Sequence, residues 1–345
     1  NTIDDFVKYC NTYLVKKIET DISDIEREIK KTDSVVLRRD LEINDLLGTK
    51  EQTVEVSKSK IVQKLKSFEI KIHNFLTEYK NDSKNWIIQS EYDDKRRKKI
   101  TIQPIWAAPF FDKYIWAKYD KVFLMSGTIL DKKMFTYLNG IPEPISVYYY
   151  IDSPFLIKNR PIYYMPLGKM THKIKEETFK KYIPVLNKIL KKYKSKKGII
   201  HTITFELQKW IMENIVDDRL ISHSSDQKSK NFTLKNHYTS NKPTVMVSPS
   251  MGTGVDLKNN RARFQVCLKV PYPNMGDMKI KQRMADKPEY YNFMTVCKFI
   301  QIYGRAIRNS KDYADFIILD SCFGDLLRYS GHYFPDWVIR AIKQV

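Results

Sequence analysis

The sequence has no run approaching the ~18 consecutive apolar residues a membrane-spanning helix requires. Its first residues, Asn1-Thr2-Ile3-Asp4-Asp5, have neither the basic start nor the apolar stretch of a signal peptide. A soluble, intracellular chain with no membrane partner is expected. Cysteine is scarce: Cys10, Cys267, Cys297 and Cys322 are far apart and form no C-x-x-C pair, so neither a disulfide framework nor a zinc or iron–sulfur site is indicated. The expectation is buried free thiols and no metal-ligating set. Acidic side chains are outnumbered, 40 against 60 Lys and Arg, for a net charge of +20. That balance favours polyanionic partners, nucleic acid first, and carries no information on fold. The chain does not begin with methionine, so it is expected to be processed or a piece of a longer protein.

Core-forming side chains are abundant. Hydrophobic residues make up 42% and aromatic residues 13% of 345 positions, which excludes a disordered tail, a low-complexity chain and a collagen-like one. At ~150 residues per domain the length suggests roughly two domains.

Val7, Cys10, Leu14, Ile18, Ile22, Ile25 and Ile29 recur at steps of three and four between charged residues, the stripe of an amphipathic helix. Ile61, Leu65, Phe68, Ile72, Leu76 and Tyr79 repeat it after a break near Gly48-Thr49. A helical hairpin or small antiparallel bundle is the economical reading. From Trp86 the texture changes. Trp86-Ile87-Ile88, Ile100-Thr101-Ile102 and Lys121-Val122-Phe123-Leu124-Met125 read as strands. The basic run Lys95 to Lys99 reads as a solvated hairpin tip.

After Asp152-Ser153-Pro154 the pattern alternates. Strands are predicted at 162–164, 198–201, 244–247, 264–268 and 316–319, with helices at 173–194, 205–215 and 289–307. Short strands apolar on both faces imply a parallel sheet covered by helices, whose ligands sit beyond the carboxyl ends of the strands. Tyr148-Tyr149-Tyr150 and Tyr163-Tyr164 read as buried core.

Three loops carry chemistry. In Ser126-Gly127-Thr128, two hydroxyls around a glycine can bond neighbouring loops or phosphate. The stretch from Ser248 to Leu257 holds Gly252 and Gly254, which permit close backbone approach to a phosphate or ribose, with Thr253 and Asp256 supplying a hydroxyl and a carboxylate. A glycine turn whose Asp256 caps the following segment is an equal reading. In Gln301-Ile302-Tyr303-Gly304-Arg305-Ala306-Ile307-Arg308, at a predicted helix end, Arg305 and Arg308 share one face with Gln301 a turn earlier. Two guanidinium forks converging there suit a multiply charged phosphate, and Gly304 leaves room for close approach.

In chain order, Leu124-Met125-Ser126-Gly127-Thr128-Ile129-Leu130, Gly198-Ile199-Ile200-His201-Thr202, Gly252-Thr253-Gly254-Val255-Asp256-Leu257 and Gln301 to Arg308 resemble helicase motifs III, IV, V and VI of the XPD/DinG-like branch of superfamily 2. Val270-Pro271-Tyr272-Pro273 and Phe334-Pro335-Asp336-Trp337 also resemble that branch, and the likeness spans about 86–337. Two departures are small: Ala314 stands where the family usually has glycine, and the Thr202/Thr204 region replaces the usual motif IV serine. The large departure is an absence. The sequence contains no G-x-x-x-x-G-K-[ST] loop and no D-E-x-H box, which in this family would lie upstream of Asn1.

The resemblance implies an α/β fold, a RecA-like parallel sheet covered by helices on both faces and preceded by an arch-like helical segment. Residues 1–85 would be that segment, 86–130 the closing strands of a first motor domain, and 131–345 a second RecA-like domain. It further implies the C-terminal part of an ATP-dependent DNA helicase moving 5′→3′ on single-stranded DNA or at a forked duplex. The partners are then DNA and the missing N-terminal motor domain. ATP would bind with Mg2+ whose ligands lie outside this chain, and any iron–sulfur cluster would also lie outside it. Arg308, Arg305 and Gln301 would act at the γ-phosphate, with Arg308 the finger. Gly254, Asp256 and Gly304 would line the nucleotide cleft. Thr202, Thr204, Ser250 and Thr253 would hold the nucleic-acid backbone, and Ser126 with Thr128 would couple the two surfaces. The chain alone is expected to be inactive as an ATPase. The rival readings are a non-catalytic nucleic-acid-binding module and an RNA-directed motor.

Overall fold

The computed structural model describes residues 2–39, 50–92, 96–171, 175–252 and 254–345. The chain divides into two compact units, Asn1–Trp106 and Ala107–Val345, a boundary inside the 86–130 stretch.

In the first unit, helix α1 (Ile3–Tyr9) starts in a capping box: Asp5 N donates to Thr2 Oγ1 and Thr2 N to Asp5 Oδ2. A π-helical turn (Cys10–Leu14) leads into α2 (Val15–Arg39), and α3 (Lys50–Asn81) returns antiparallel. The two stripes legible in the sequence meet, with Cys10, Ile18 and Ile22 packing on Val62 and Ile72. Ion pairs Glu26–Lys66 and Glu28–Lys58 and a Tyr79 hydroxyl bond to Asp4 fix the register. The break at Gly48-Thr49 falls outside the described residues. Strands β1 (Trp86–Tyr92) and β2 (Lys98–Pro104) form an antiparallel hairpin pairing Trp86 with Pro104 and Ser90 with Ile100. Lys98 and Lys99 are exposed there and Lys99 pairs with Glu91, as a solvated tip requires; Lys95 lies outside the described residues.

The second unit opens with α4 (Ala108–Tyr114) and α5 (Lys132–Leu138). Then follow β3 (Ile162–Gly168), α6 (Lys175–Lys192), β4 (Gly198–His201), α7 (Phe205–Asn214), β5 (Leu220–Ile221), α8 (Gln227–Thr239), β6 (Val245–Ser248) and β7 (Phe264–Cys267). The last elements are α9 (Met278–Asp286), α10 (Glu289–Tyr303), β8 (Asp315–Asp320), α11 (Cys322–Ser330), α12 (Asp336–Ile339) and β9 (Ile342–Gln344). The strands form one sheet of order β5-β6-β4-β7-β8-β3-β9, parallel at every pairing.

Parallel pairing demands helical crossovers, and those helices bury both faces of the sheet. Alternation along β8 displays this. Phe316 and Ile318 enter the core formed with Phe293, Val296 and Phe299 of α10, while Ile317 and Leu319 enter the core formed with Tyr182 and Leu186 of α6 and Ile211 of α7. Each such large apolar side chain, fully buried, contributes on the order of 1.5–3 kcal/mol. All four cysteines are buried free thiols.

Three sequence expectations fail. Residues 121–125 are not a strand: Phe123 and Met125 are each 87% exposed, and no described strand pairs with them. A strand without a neighbour leaves its amide and carbonyl groups unpaired, so apolar composition alone does not produce one. Tyr148 to Tyr150 are likewise irregular rather than core, with Tyr149 and Tyr150 exposed; only Tyr163 and Tyr164 lie in a strand, partly buried. Finally, α10 stops at Tyr303, with Gly304 as its C-cap, so the arginines beyond it are not helical. The two- and three-residue edge strands β5 and β9 are too short for any periodicity to reveal.

Candidate functional site

A cleft of about 410 Å³ gathers Ser126 and Thr128 from one loop, Gln301 from the last turn of α10, Arg305 and Arg308 from the turn beyond, and Arg160, which precedes β3. The cleft is therefore not confined to the carboxyl ends of the strands, where the parallel-sheet rule placed ligands. Gln301 Nε2 donates to Thr128 Oγ1 at 3.3 Å, and Thr128 Oγ1 lies 3.2 Å from Ser126 Oγ.

The two arginines are placed differently. Arg305 folds back on the loop after β6, its Nε donating to Gly252 O at 2.8 Å and its Nη1 to Val255 O at 3.2 Å, while Leu257 N donates to Arg305 O. Burial lowers its pKa below the usual guanidinium value, and the neighbouring Arg308 charge lowers it further. Arg308 is 43% exposed at the side chain, and its Nε lies 3.6 Å from Asp256 Oδ1. Asp256 also attracts Lys258 at 3.5 Å and Arg261 at 4.0 Å, so its side chain sits among cations rather than capping a segment. Two glycines shape this loop. Gly254 has φ +73°, a left-handed conformation that side-chain-bearing residues adopt at a cost, and a Cβ on Gly252 would meet Ile302 Cγ1 at 2.5 Å.

A family model for the helicase C-terminal domain matches residues 184–340, which contain β4 to β8 and the cleft residues Gln301, Arg305 and Arg308. That stretch is similar to helicase C-terminal domains. The wider chain has the RecA-like fold of XPD structures. One, an XPD helicase, superposes with a TM-score of 0.53 at 18% identity over 88% of this chain and 57% of that one. Another, an apo XPD, gives 0.56 at 18% identity over 87% and 63%. The chain thus spans about three fifths of the length of those proteins. No curated protein matches the sequence.

The residues expected at the nucleic-acid backbone stand elsewhere in the second unit, beyond the carboxyl ends of β4 and β6. Thr204 caps α7, its hydroxyl accepting from Leu207 N, and Ser250 is exposed. Thr202 is fully buried, its amide donating to Ser248 O and its hydroxyl without a hydrogen-bond partner among the described residues. Thr253 lies outside the described residues. His201, next to Thr202, is buried against Gln265 Oε1 at 3.1 Å, and burial pulls its pKa down to about 4.

The sequence pattern assigned no site role to two buried residues, Asp312 and Arg160. Asp312, 1% exposed, accepts from Arg308 N, Asn309 N and Asn309 Nδ2 through Oδ2 and from Asn259 N through Oδ1. It therefore positions the Arg308 turn against the segment that follows Asp256, and its spacing four residues beyond Arg308 was the available signal. Arg160, 4% exposed, lies 4.1 Å over the Trp337 ring and donates to Phe155 O. No local pattern marks it, because Phe155 and Trp337 meet only through the fold.

Proposed function

We propose that this chain is the C-terminal motor part of an ATP-dependent DNA helicase that moves 5′→3′ along single-stranded DNA and unwinds duplex. In this reading residues 1–85 are arch-like, 86–130 close a first motor domain, and 131–345 form the second motor domain. The observation that carries the reading is the convergence of Arg305, Arg308 and Gln301 on one cleft within a stretch similar to helicase C-terminal domains. Its donor set, guanidinium and amide groups with two hydroxyls, fits a polyphosphate. The cleft lining carries no carboxylate among the described residues, so we assign the magnesium ligands and the P-loop wall to sequence outside this chain.

Arg308 is the finger. Its guanidinium is accessible and loosely held by Asp256, so it is free to donate to the γ-phosphate as transition-state charge develops. Arg305 braces the loop after β6 through Gly252 and Val255, Asp256 tethers Arg308 from outside the cleft lining, and Gln301 orients beside the same phosphate. Ser126 and Thr128 relay cleft closure toward Thr204, Ser250 and Thr253 on the DNA track, beneath which Thr202 is buried, and the +20 charge supplies salt-sensitive affinity.

The test is Arg308→Ala in an enzyme that includes the P-loop domain. ATP turnover should fall by roughly 10³-fold or more, with single-strand binding largely retained; unchanged turnover removes Arg308 from the role. This chain alone should show negligible ATPase. Competition between DNA and RNA strands of one sequence at fixed salt separates a DNA motor from an RNA-directed one.

A further inference from the structure

Charged side chains pair across the α2/α3 seam. Lys66 Nζ lies 2.7 Å from Glu26 Oε1, and Lys58 Nζ lies 3.0 Å from Glu28 Oε2. Glu19 stands one heptad before Glu26, and His73 one heptad after Lys66. Antiparallel helices keep their facing positions over such a step, so Glu19 meets His73 as Glu26 meets Lys66. Glu69 lies four residues before His73, on the same face of α3.

The carboxylate oxygens of Glu19 and Glu69 and an imidazole nitrogen of His73 all lie within 4.8 Å of one another. Among the described residues, no Lys or Arg forms an ion pair with Glu19 or Glu69, although lysines neutralise the neighbouring acids; Lys17, two residues before Glu19, is committed to Asp21 at 2.7 Å. Two carboxylates facing one point without a counter-charge repel each other, in a chain otherwise rich in cations.

One imidazole nitrogen and two carboxylate oxygens are a donor set for divalent first-row transition metals, and an i, i+4 pair with a third ligand from a facing helix can cap one side of such an ion. Metal–ligand bonds of ~2.0–2.2 Å fit ligand atoms within this separation, and exposed and half-exposed side chains can adjust to them by rotation. We propose that Glu19, Glu69 and His73 bind one divalent ion of the zinc class, water filling the remaining positions, and that the ion ties α2 to α3. Magnesium, which favours an all-oxygen octahedron, is a poor match for this set.

The test is titration of the metal-stripped full chain with ZnCl2 by calorimetry, and with CoCl2 by visible absorption. The expected result is one ion per chain and a higher melting temperature with zinc. Glu19→Gln, Glu69→Gln and His73→Ala should each weaken zinc binding about tenfold or more. Metal-free melts of these variants should stay close to wild type, separating lost ligation from lost folding. The cobalt spectrum should change character in His73→Ala, and excess MgCl2 should not compete. Failure of the wild-type chain to take up zinc or cobalt overturns the proposal, as does undiminished binding by the triple variant.

Discussion

Gln301 Nε2 donates to Thr128 Oγ1 across 3.3 Å, joining side chains 173 positions apart. The same threonine is held a second time, as Cys297 Sγ lies 3.7 Å from Thr128 O. The 126–128 loop is thus attached to the last two turns of α10. A Thr128→Val/Gln301→Ala double-mutant cycle read by urea unfolding should give a coupling of about 0.5–1 kcal/mol. Strict additivity would mean that the two side chains do not share the bond.

Arg305 and Arg308 should separate in a stability assay. Arg305→Ala strips the Gly252 and Val255 carbonyls of their charged donor and should cost about 1.5–3 kcal/mol. Arg308→Ala removes an exposed guanidinium with one loose ion pair and should change stability by no more than about 0.5 kcal/mol. Equal losses would mean that the Arg308 side chain also braces the fold.

Asp312→Ala should be costly, about 3 kcal/mol, because the amides of Arg308, Asn309 and Asn259 all donate to its buried carboxylate. Asp312→Asn keeps an acceptor and should lose less. Chemical denaturation of both variants orders them, and a neutral Asp312→Ala would contradict the positioning role.

Acid should destabilise the second unit through two histidines. His201 and His237 are both lowered from 6.5 to about 4, chiefly by burial. Hydrogen bonds to Gln265 Oε1 and to the Arg261 carbonyl partly oppose the shift, while the Arg305 charge adds to it at His201 and those of Lys197 and Arg261 at His237. Above pH 6.5 neither state is protonated, and the stability is fully present. Between pH 6.5 and 4 only the unfolded chain takes up the proton, so stability falls with pH by about 1.4 kcal/mol per unit for each histidine. Melting temperatures measured from pH 7 to 4 should decline, and less steeply in His237→Gln; an identical slope would remove His237 from the effect.

The repeating elements were legible in the sequence because burial imposes a period. The stripe through Ile18 and Ile22 marks α2, and the run Phe316 to Leu319, apolar at every position, marks a strand covered on both faces. Residues 121–125 have the same apolar texture and are not a strand, since a strand also requires a neighbour with which to bond. The arginine spacing was readable, but its cause was misassigned. Arg305 and Arg308 line one cleft through a turn after Gly304, the first held by Gly252 and Val255 and the second by the hydrogen bond its backbone N–H donates to Asp312.

Composition, periodicity and motif order thus determined that the chain is basic, that it builds a parallel α/β sheet after a helical hairpin, and which loops hold the charged and hydroxyl groups. Only the tertiary structure decided that Arg305 is a brace and Arg308 the accessible cation, that Thr202 is buried, and that Asp312 and Arg160 belong to the site. Those distinctions rest mainly on partners distant in the chain, such as Gly252 for Arg305, Asn259 for Asp312 and Trp337 for Arg160, and a linear pattern records spacing along the chain but not contacts across it.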